Sequence, residues 1–192
     1  MENADIESRA LDAAERLFYE HGVQAVGMDR VRAASGLSLK RLYQHFPSKE
    51  VMVEAYLRRR DRRWRAALAE HVAHRPAGRD RVLAVFDWLH VWFGEPDFRG
   101  CAFLNAFGEM GTGSAAVAEA VREHKAEVRE FLLHLALDAR TEDPELLADQ
   151  LAVLVDGAIV TAAVTGTPEA AHRARAAAEA LIPATGRPWT GR

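Results

Sequence analysis

The chain has 192 residues, 49% hydrophobic and 28% charged, with a net charge of −3 and a single cysteine. That length can bury one medium core plus a small satellite domain, and the lone Cys101 excludes an intramolecular disulfide and a multi-cysteine zinc site while fitting a reducing compartment. The charge is uneven, at −5 over residues 1–29, +8 over 30–65 and −6 over 66–192, which places a basic band on an acidic protein and suits an electrostatic footprint on nucleic acid.

Residues 6–21 carry Ile6, Ala10, Ala13, Ala14, Leu17 and Phe18 at helical spacing, and Gly22 ends the pattern. A short helix is expected from Met28 to Ala34, with Val31 and Ala34 inward and Asp29, Arg30 and Arg32 outward. Then comes the stretch around which the chain is organised, SGLSLKRLYQHFPSK at 35–49. Ser35-Gly36 breaks one helix, Ser38 can cap the next, and Pro47-Ser48 stops that one and caps a third. Leu39, Leu42 and Phe46 recur at spacings of three and four and anchor one face, leaving Lys40, Arg41, Tyr43, Gln44 and His45 to project. Basic, aromatic and amide groups on a short helix in front of a supporting helix are what meets phosphates and base edges in a major groove. An Arg-rich run is otherwise a solvated helix face, but the six arginines among residues 58–65 follow directly on this turn.

After Ser48 a long helix runs through Val51, Met52, Ala55, Tyr56, Trp64 and Leu68, with no break before Pro76. RPAGR at 75–79 is the first clear linker. Residues 79–94 place Val82, Val85, Phe86, Leu89, Trp92 and Phe93 on one stripe with Trp88 and Val91 off it, the pattern of a helix that is buried or borders a cavity. FRGCAFLNAFGEMG at 98–111 crowds apolar and aromatic side chains with Asn105 and Glu109. Trp88, Trp92, Cys101, Phe103, Asn105 and Phe107 are therefore the expected lining of a site for a small apolar or aromatic molecule. Aromatics at this spacing equally make plain core.

A further amphipathic helix spans 114–137, and Asp143-Pro144 opens another. From Leu151 to Val164 nearly every side chain is apolar or small, and after Thr167-Pro168-Glu169 a last helix is rich in alanine. Leu151, Leu154, Val155, Ile159, Ala163, Ala174, Ala178 and Leu181 are read as a dimer interface, the alternative being a hairpin buried within one subunit. No apolar leader opens the chain, and the run from Leu151 to Gly166, about 16 residues with Asp156 inside it, is short for a membrane span. A cytoplasmic protein with no membrane partner is expected.

With the first helix, the helix-turn-helix and the long following helix in register, residues 1–55 resemble the TetR family of bacterial transcriptional regulators. The resemblance lies in Gly22, Ser35-Gly36-Leu37-Ser38 and Leu42-Tyr43-Gln44-His45-Phe46-Pro47-Ser48-Lys49. It implies that Tyr43 and Lys49 grip phosphates, that Leu42 and Phe46 are core, and that residues from Ser38 to Gln44 face the bases. Two positions depart from the family pattern. Gly27 stands where Thr or Ser is usual, which removes a side-chain phosphate contact, and Lys40-Arg41 replace small residues, which favours an unusual operator and stronger salt dependence. The remaining two-thirds resembles the family only in architecture, a ligand-enclosing set of helices followed by a pair that forms a four-helix bundle with a partner.

The expected protein is all-α, with a helix-turn-helix DNA-binding domain at 1–47, a helical ligand-binding and dimerisation domain at 48–183 and a tail at 184–192. Its candidate DNA contacts are Arg30, Ser38, Leu39, Lys40, Arg41, Tyr43, Gln44, His45 and Lys49, and its partners a near-palindromic duplex, a second copy and an apolar effector. Catalysis is not expected: there is no Gly-x-Ser-x-Gly elbow, the GTGSA loop lacks the features of a nucleotide-binding loop, and Cys101 has no evident His partner. His71 and His74 at i and i+3 lack further ligands for zinc, and no cofactor is implied. The rival readings are a DNA-binding protein without an effector and a helical carrier or enzyme.

Overall fold

The computed structural model describes residues 3–182, and the expected tail at 184–192 lies outside them. The described residues form helices and no strand: α1 (Asn3–His21), α2 (Met28–Ser35), α3 (Leu39–His45), α4 (Lys49–Ala73), α5 (Arg79–Phe93), α6 (Ala102–Met110), α7 (Ala115–Asp138), α8 (Pro144–Thr165) and α9 (Glu169–Leu181). They gather into two compact units, Met1–Arg63 with Ala102–His124, and Trp64–Cys101 with Lys125–Arg192. The expected division at residue 47 falls inside the first unit. That unit also takes in α6 and the start of α7, far along the chain.

In the first unit α1, α2 and α3 pack on one another. All six apolar positions expected to face inward from α1 are buried. Gly22 follows with φ +84 and Gly36 closes α2 with φ +67, conformations that cost a side chain about 1–2 kcal/mol and glycine almost nothing. Ala34, expected inward on α2, is exposed, and Ser35 is buried in its place. The Ser35 hydroxyl donates to the Arg32 carbonyl at 3.2 Å, and Arg9 Nη2 donates to the Ser35 carbonyl at 2.9 Å, so both polar groups of this buried serine have protein partners.

In the second unit α5, α8 and α9 pack on one another. Asp143 caps α8 by accepting from Leu146 N at 2.9 Å, with Pro144 in the first turn. The apolar run expected to be too short for a bilayer is part of a 22-residue helix, long and apolar enough by length and composition to cross one. Its apolar content extends N-terminally through Leu146, Leu147 and Ala148. Leu147, Ala148, Leu151, Val155, Ala158, Ile159 and Ala162 are nevertheless buried within the protomer, as in a core helix.

Candidate nucleic-acid interface

The sequence around α3 dictates a short helix with one inward face. Ser38 in extended backbone accepts from Arg41 N at 3.3 Å, and Leu42 N bonds the Ser38 carbonyl at 3.1 Å, which fixes the start. Phe46 N bonds the Leu42 carbonyl at 2.8 Å and Pro47 prevents continuation. Ser48 then accepts from Val51 N at 3.3 Å and opens α4. Leu42 is fully buried and Phe46 nearly so. Burying both stabilises this seven-residue helix by about 3–5 kcal/mol, more than its own backbone bonds can supply.

That anchoring leaves Ser38, Lys40, Arg41, Tyr43 and Gln44 exposed, Tyr43 at 45%. Leu39 is half-buried at the edge of the core. His45 is half-buried and turned onto its own helix, with Nδ1 donating to the Arg41 carbonyl at 3.0 Å. Arg30 projects from α2, which Gly27 caps through its backbone only. Lys49, first residue of α4, is half-buried and donates to the Gln24 carbonyl at 3.4 Å. Burial pushes its amine below the usual lysine range, and the nearby Glu109 carboxylate partly offsets this.

The arginine run on α4 behaves differently from the expected footprint. Arg59, Arg60 and Arg63 all converge on the Glu15 carboxylate, at 2.8, 3.1 and 3.1 Å, and Arg59 also pairs with Asp12 at 2.9 Å. Arg60 lies 3.9 Å over the Tyr19 ring. Arg58 holds Glu54 and Glu123, which drives its pKa upward, and Arg65 holds Glu127. About half of the excess charge counted over 30–65 is thus offset within the protein, by Asp12, Glu15, Glu123 and Glu127, which lie outside that window in sequence. What remains for DNA beside α3 is a smaller set of Arg30, Lys40, Arg41 and Lys49, with Arg32 tied to Asp29 at 3.4 Å, while Arg62, the sixth arginine of the run, is exposed on α4.

The residues expected to line a ligand site divide between the two units. In the second, Trp88 and Trp92 stack at 5.6 Å, Trp64 meets both edge-on at 5.0 and 5.8 Å, and Phe98 meets Trp92 at 5.1 Å. Trp88 is half-buried and Trp92 buried. Cys101 is buried, with Lys125 Nζ 4.0 Å from its sulfur. In the first unit Asn105 and Phe107 are exposed, whereas Phe103 stacks on His124 at 3.6 Å. His124 is itself buried, with Nδ1 2.7 Å from Asp61. This pair was invisible in sequence, since its members lie 63 residues apart.

Of the expected interface residues, Leu151, Val155, Ile159, Ala174 and Ala178 are buried within the protomer and have no area left for a second copy. Leu154 is half-buried, and Ala163 and Leu181 are exposed. The open side of α8 runs instead through Val153, Val160 and Val164, at 73, 49 and 81% exposure, with Gly157 between them. A Cβ on Gly157 would meet nothing within 4 Å.

Two family models match the chain: "Bacterial regulatory proteins, tetR family" over residues 10–56 and "Tetracyclin repressor-like, C-terminal domain" over 78–178. A TetR-family transcriptional regulator from Streptomyces coelicolor is similar over 93% of this chain and 95% of its own, with 30% sequence identity and a TM-score of 0.86. The chain belongs to the TetR family. The reduced form of NemR from E. coli shares the fold at 21% identity, covering 95% of this chain and 100% of that one with a TM-score of 0.84. Rv1255c of Mycobacterium tuberculosis, an uncharacterised HTH-type transcriptional regulator, is 44% identical over 55 residues, 29% of this chain. That match spans 27% of the relative's own length.

As a TetR-type regulator the protein is a DNA-binding, helix-turn-helix transcription factor, and α2 and α3 are that motif. Among the described residues no group of three or more His, Cys, Asp or Glu is placed to hold a metal ion. The residues that sequence reasoning missed are those whose partners come from far along the chain: Glu15, His124 with Asp61, and Glu109.

Proposed function

We propose that this protein is a homodimeric repressor that reads a near-palindromic operator with α3 and is released from it by a small apolar or aromatic molecule. Within this reading, residues 1–47 are the DNA-reading domain and 48–183 the effector and dimerisation domain. The observation that carries it is the two-sided character of α3. Leu42 and Phe46 are buried, while Lys40, Arg41, Tyr43 and Gln44 project together at the start of a capped helix. Tyr43, Lys49 and Arg30 would grip phosphates, with Lys40, Arg41 and Gln44 toward the bases, Gln44 suited to the paired N6 and N7 positions of adenine. Ser38, Leu39 and His45 would sit at the margins of that contact.

Dimerisation would use the open side of α8, with Val153, Gly157, Val160 and Val164 joined by Leu154, Ala163 and Leu181. Exposed valines flanking a glycine let two helices approach closely and withdraw apolar surface from water. The pair of α3 helices would then enter successive major grooves about 34–36 Å apart.

The effector site would centre on Trp64, Trp88, Trp92 and Phe98, and an effector that favours one spacing of the reading heads would shift the population off DNA. A second reading, a regulator without effector, has one observation in its favour: these rings already pack on each other. The test is a screen of apolar aromatic compounds for quenching of the tryptophans, followed by titration of each quencher against the protein–operator complex. Quenching with release supports the repressor reading. Quenching without release favours a carrier, and no quencher favours the effector-free regulator.

A further inference from the structure

The first unit contains a contact that the DNA-reading surface does not explain. Glu109, near the end of α6, sits against the turn between α1 and α2. Its carboxylate Oε2 accepts from Gln24 N–H at 2.6 Å, and its backbone carbonyl accepts from Gln24 Nε2 at 2.6 Å. On the other side of the same residue, the Gln24 carbonyl accepts from Lys49 Nζ at 3.4 Å. Gln24 is therefore held from both sides, by an acid from α6 and by the lysine that opens α4. Gly22 completes the fit. A Cβ there would lie 3.0 and 3.2 Å from the two Glu109 carboxylate oxygens and press on them, while the φ of +84 itself favours glycine.

We propose that Glu109 is a positioning residue for DNA binding, which fixes the turn at 22–24 and, through Gln24, holds Lys49 where its ammonium can reach a phosphate. The physical reason is preorganisation. Residues 22–26 are the entry to α2, and Gly27 supplies no side-chain cap of its own, so the orientation of α2 rests on how this turn is held. Lysine loses several rotamers when it grips a phosphate, and a side chain already tethered at the correct end has lost part of that freedom beforehand. A charge-assisted bond to a backbone N–H is among the stronger tethers available at a partly exposed position. The carboxylate also stands close enough to Lys49 to favour its charged form against burial. The inference rests on the DNA-reading role of the first unit proposed above.

The test compares wild type, Glu109→Ala and Glu109→Gln in the full-length chain, at a temperature where circular dichroism shows all three folded. The first readout is affinity for a duplex selected from a random pool, with its salt dependence. The alanine variant is expected to bind about tenfold more weakly with the same salt slope, because Lys49 keeps its charge. The glutamine variant, whose amide oxygen still accepts from Gln24 N–H, is expected within about twofold of wild type. The second readout is amide hydrogen exchange. Gln24 N–H is expected to lose protection in the alanine variant alone, while Val31 and Leu42 keep theirs. Equal binding by all three proteins, tighter binding by the alanine variant, or a glutamine variant as weak as alanine would overturn the inference. Unchanged protection of Gln24 would overturn it too. If wild type selects no duplex, the DNA-reading proposal fails, and the exchange comparison still decides whether Glu109 holds the turn.

Discussion

The neutralised arginine run has a measurable consequence in the salt dependence of operator binding. Each phosphate contact by Lys or Arg releases condensed counterions, so log K falls against log salt concentration with a slope of about −0.9 per contact on duplex DNA. In the proposed dimer Arg30, Lys40, Arg41 and Lys49 bring about eight cations to the duplex, the base-facing Lys40 and Arg41 displacing counterions as the phosphate-gripping pair does, which gives a slope near −7. Adding Arg32, which is tied to Asp29, takes it to about −9. Were the six arginines of 58–65 also engaged, the slope would approach about −20. Fluorescence anisotropy with a labelled operator between about 0.05 and 0.3 M salt separates these cases, since the first loses roughly five decades of affinity over that range and the last far more. Lys40→Ala is expected to flatten the slope by about 2 per dimer. Arg59→Ala is expected to leave it unchanged, because that guanidinium already holds Asp12 and Glu15. A wild-type slope steeper than about −12, or a flatter slope in Arg59→Ala, would refute the assignment of the five paired arginines, Arg58, Arg59, Arg60, Arg63 and Arg65, to structure.

Other perturbations test other parts of the molecule. Tyr43→Ala should weaken binding to all duplexes alike, whereas Gln44→Ala should change which base wins at one position by about 1–3 kcal/mol; equal losses across sequences for both would contradict the division between phosphate and base contacts. Glu15→Ala leaves Arg59, Arg60 and Arg63 clustered without their shared carboxylate and should cost about 2 kcal/mol in urea unfolding, and an unchanged midpoint would show the network to be energetically idle. Asp61→Ala strands the buried His124 Nδ1 and should cost about 1–3 kcal/mol, seen as a lowered thermal midpoint. Val160→Arg places a charge on the open side of α8 and should turn the proposed dimer into monomer in sedimentation. Ala178→Val should instead lower stability by about 1–3 kcal/mol with assembly intact, since Ala178 is buried within the protomer. The reverse pattern would place the interface on the other side of the helix.

The parts of the fold visible in sequence are those decided locally. Ile6 to Phe18 repeat at helical spacing, Ser38 and Asp143 cap where caps were expected, and the Leu42–Phe46 pair fixes which side of α3 faces in. What sequence could not supply was phase and long-range pairing. α8 is apolar on nearly every side, so periodicity gave no means of telling its buried face from its open one, and five residues assigned to the interface proved to be core. A charge count over 30–65 could not see Glu15 or Glu123, which fold back onto those arginines. Gln24 and Glu109, 85 residues apart, met for the same reason unseen. The apolar run at 151–166 is short when counted alone, but the helix that Asp143 and Pro144 open adds Leu146, Leu147 and Ala148 to it.

The most direct test of a dimeric DNA reader built on α3 is selection of bound duplexes from a randomised pool at near-physiological salt. The expected result is a near-palindrome whose half-sites are centred about one helical turn apart, with the preferred base at one position of each half-site changed in Gln44→Ala. Recovery of no consensus, with binding that disappears as salt rises, would contradict it and leave α3 as a surface that only grips the backbone.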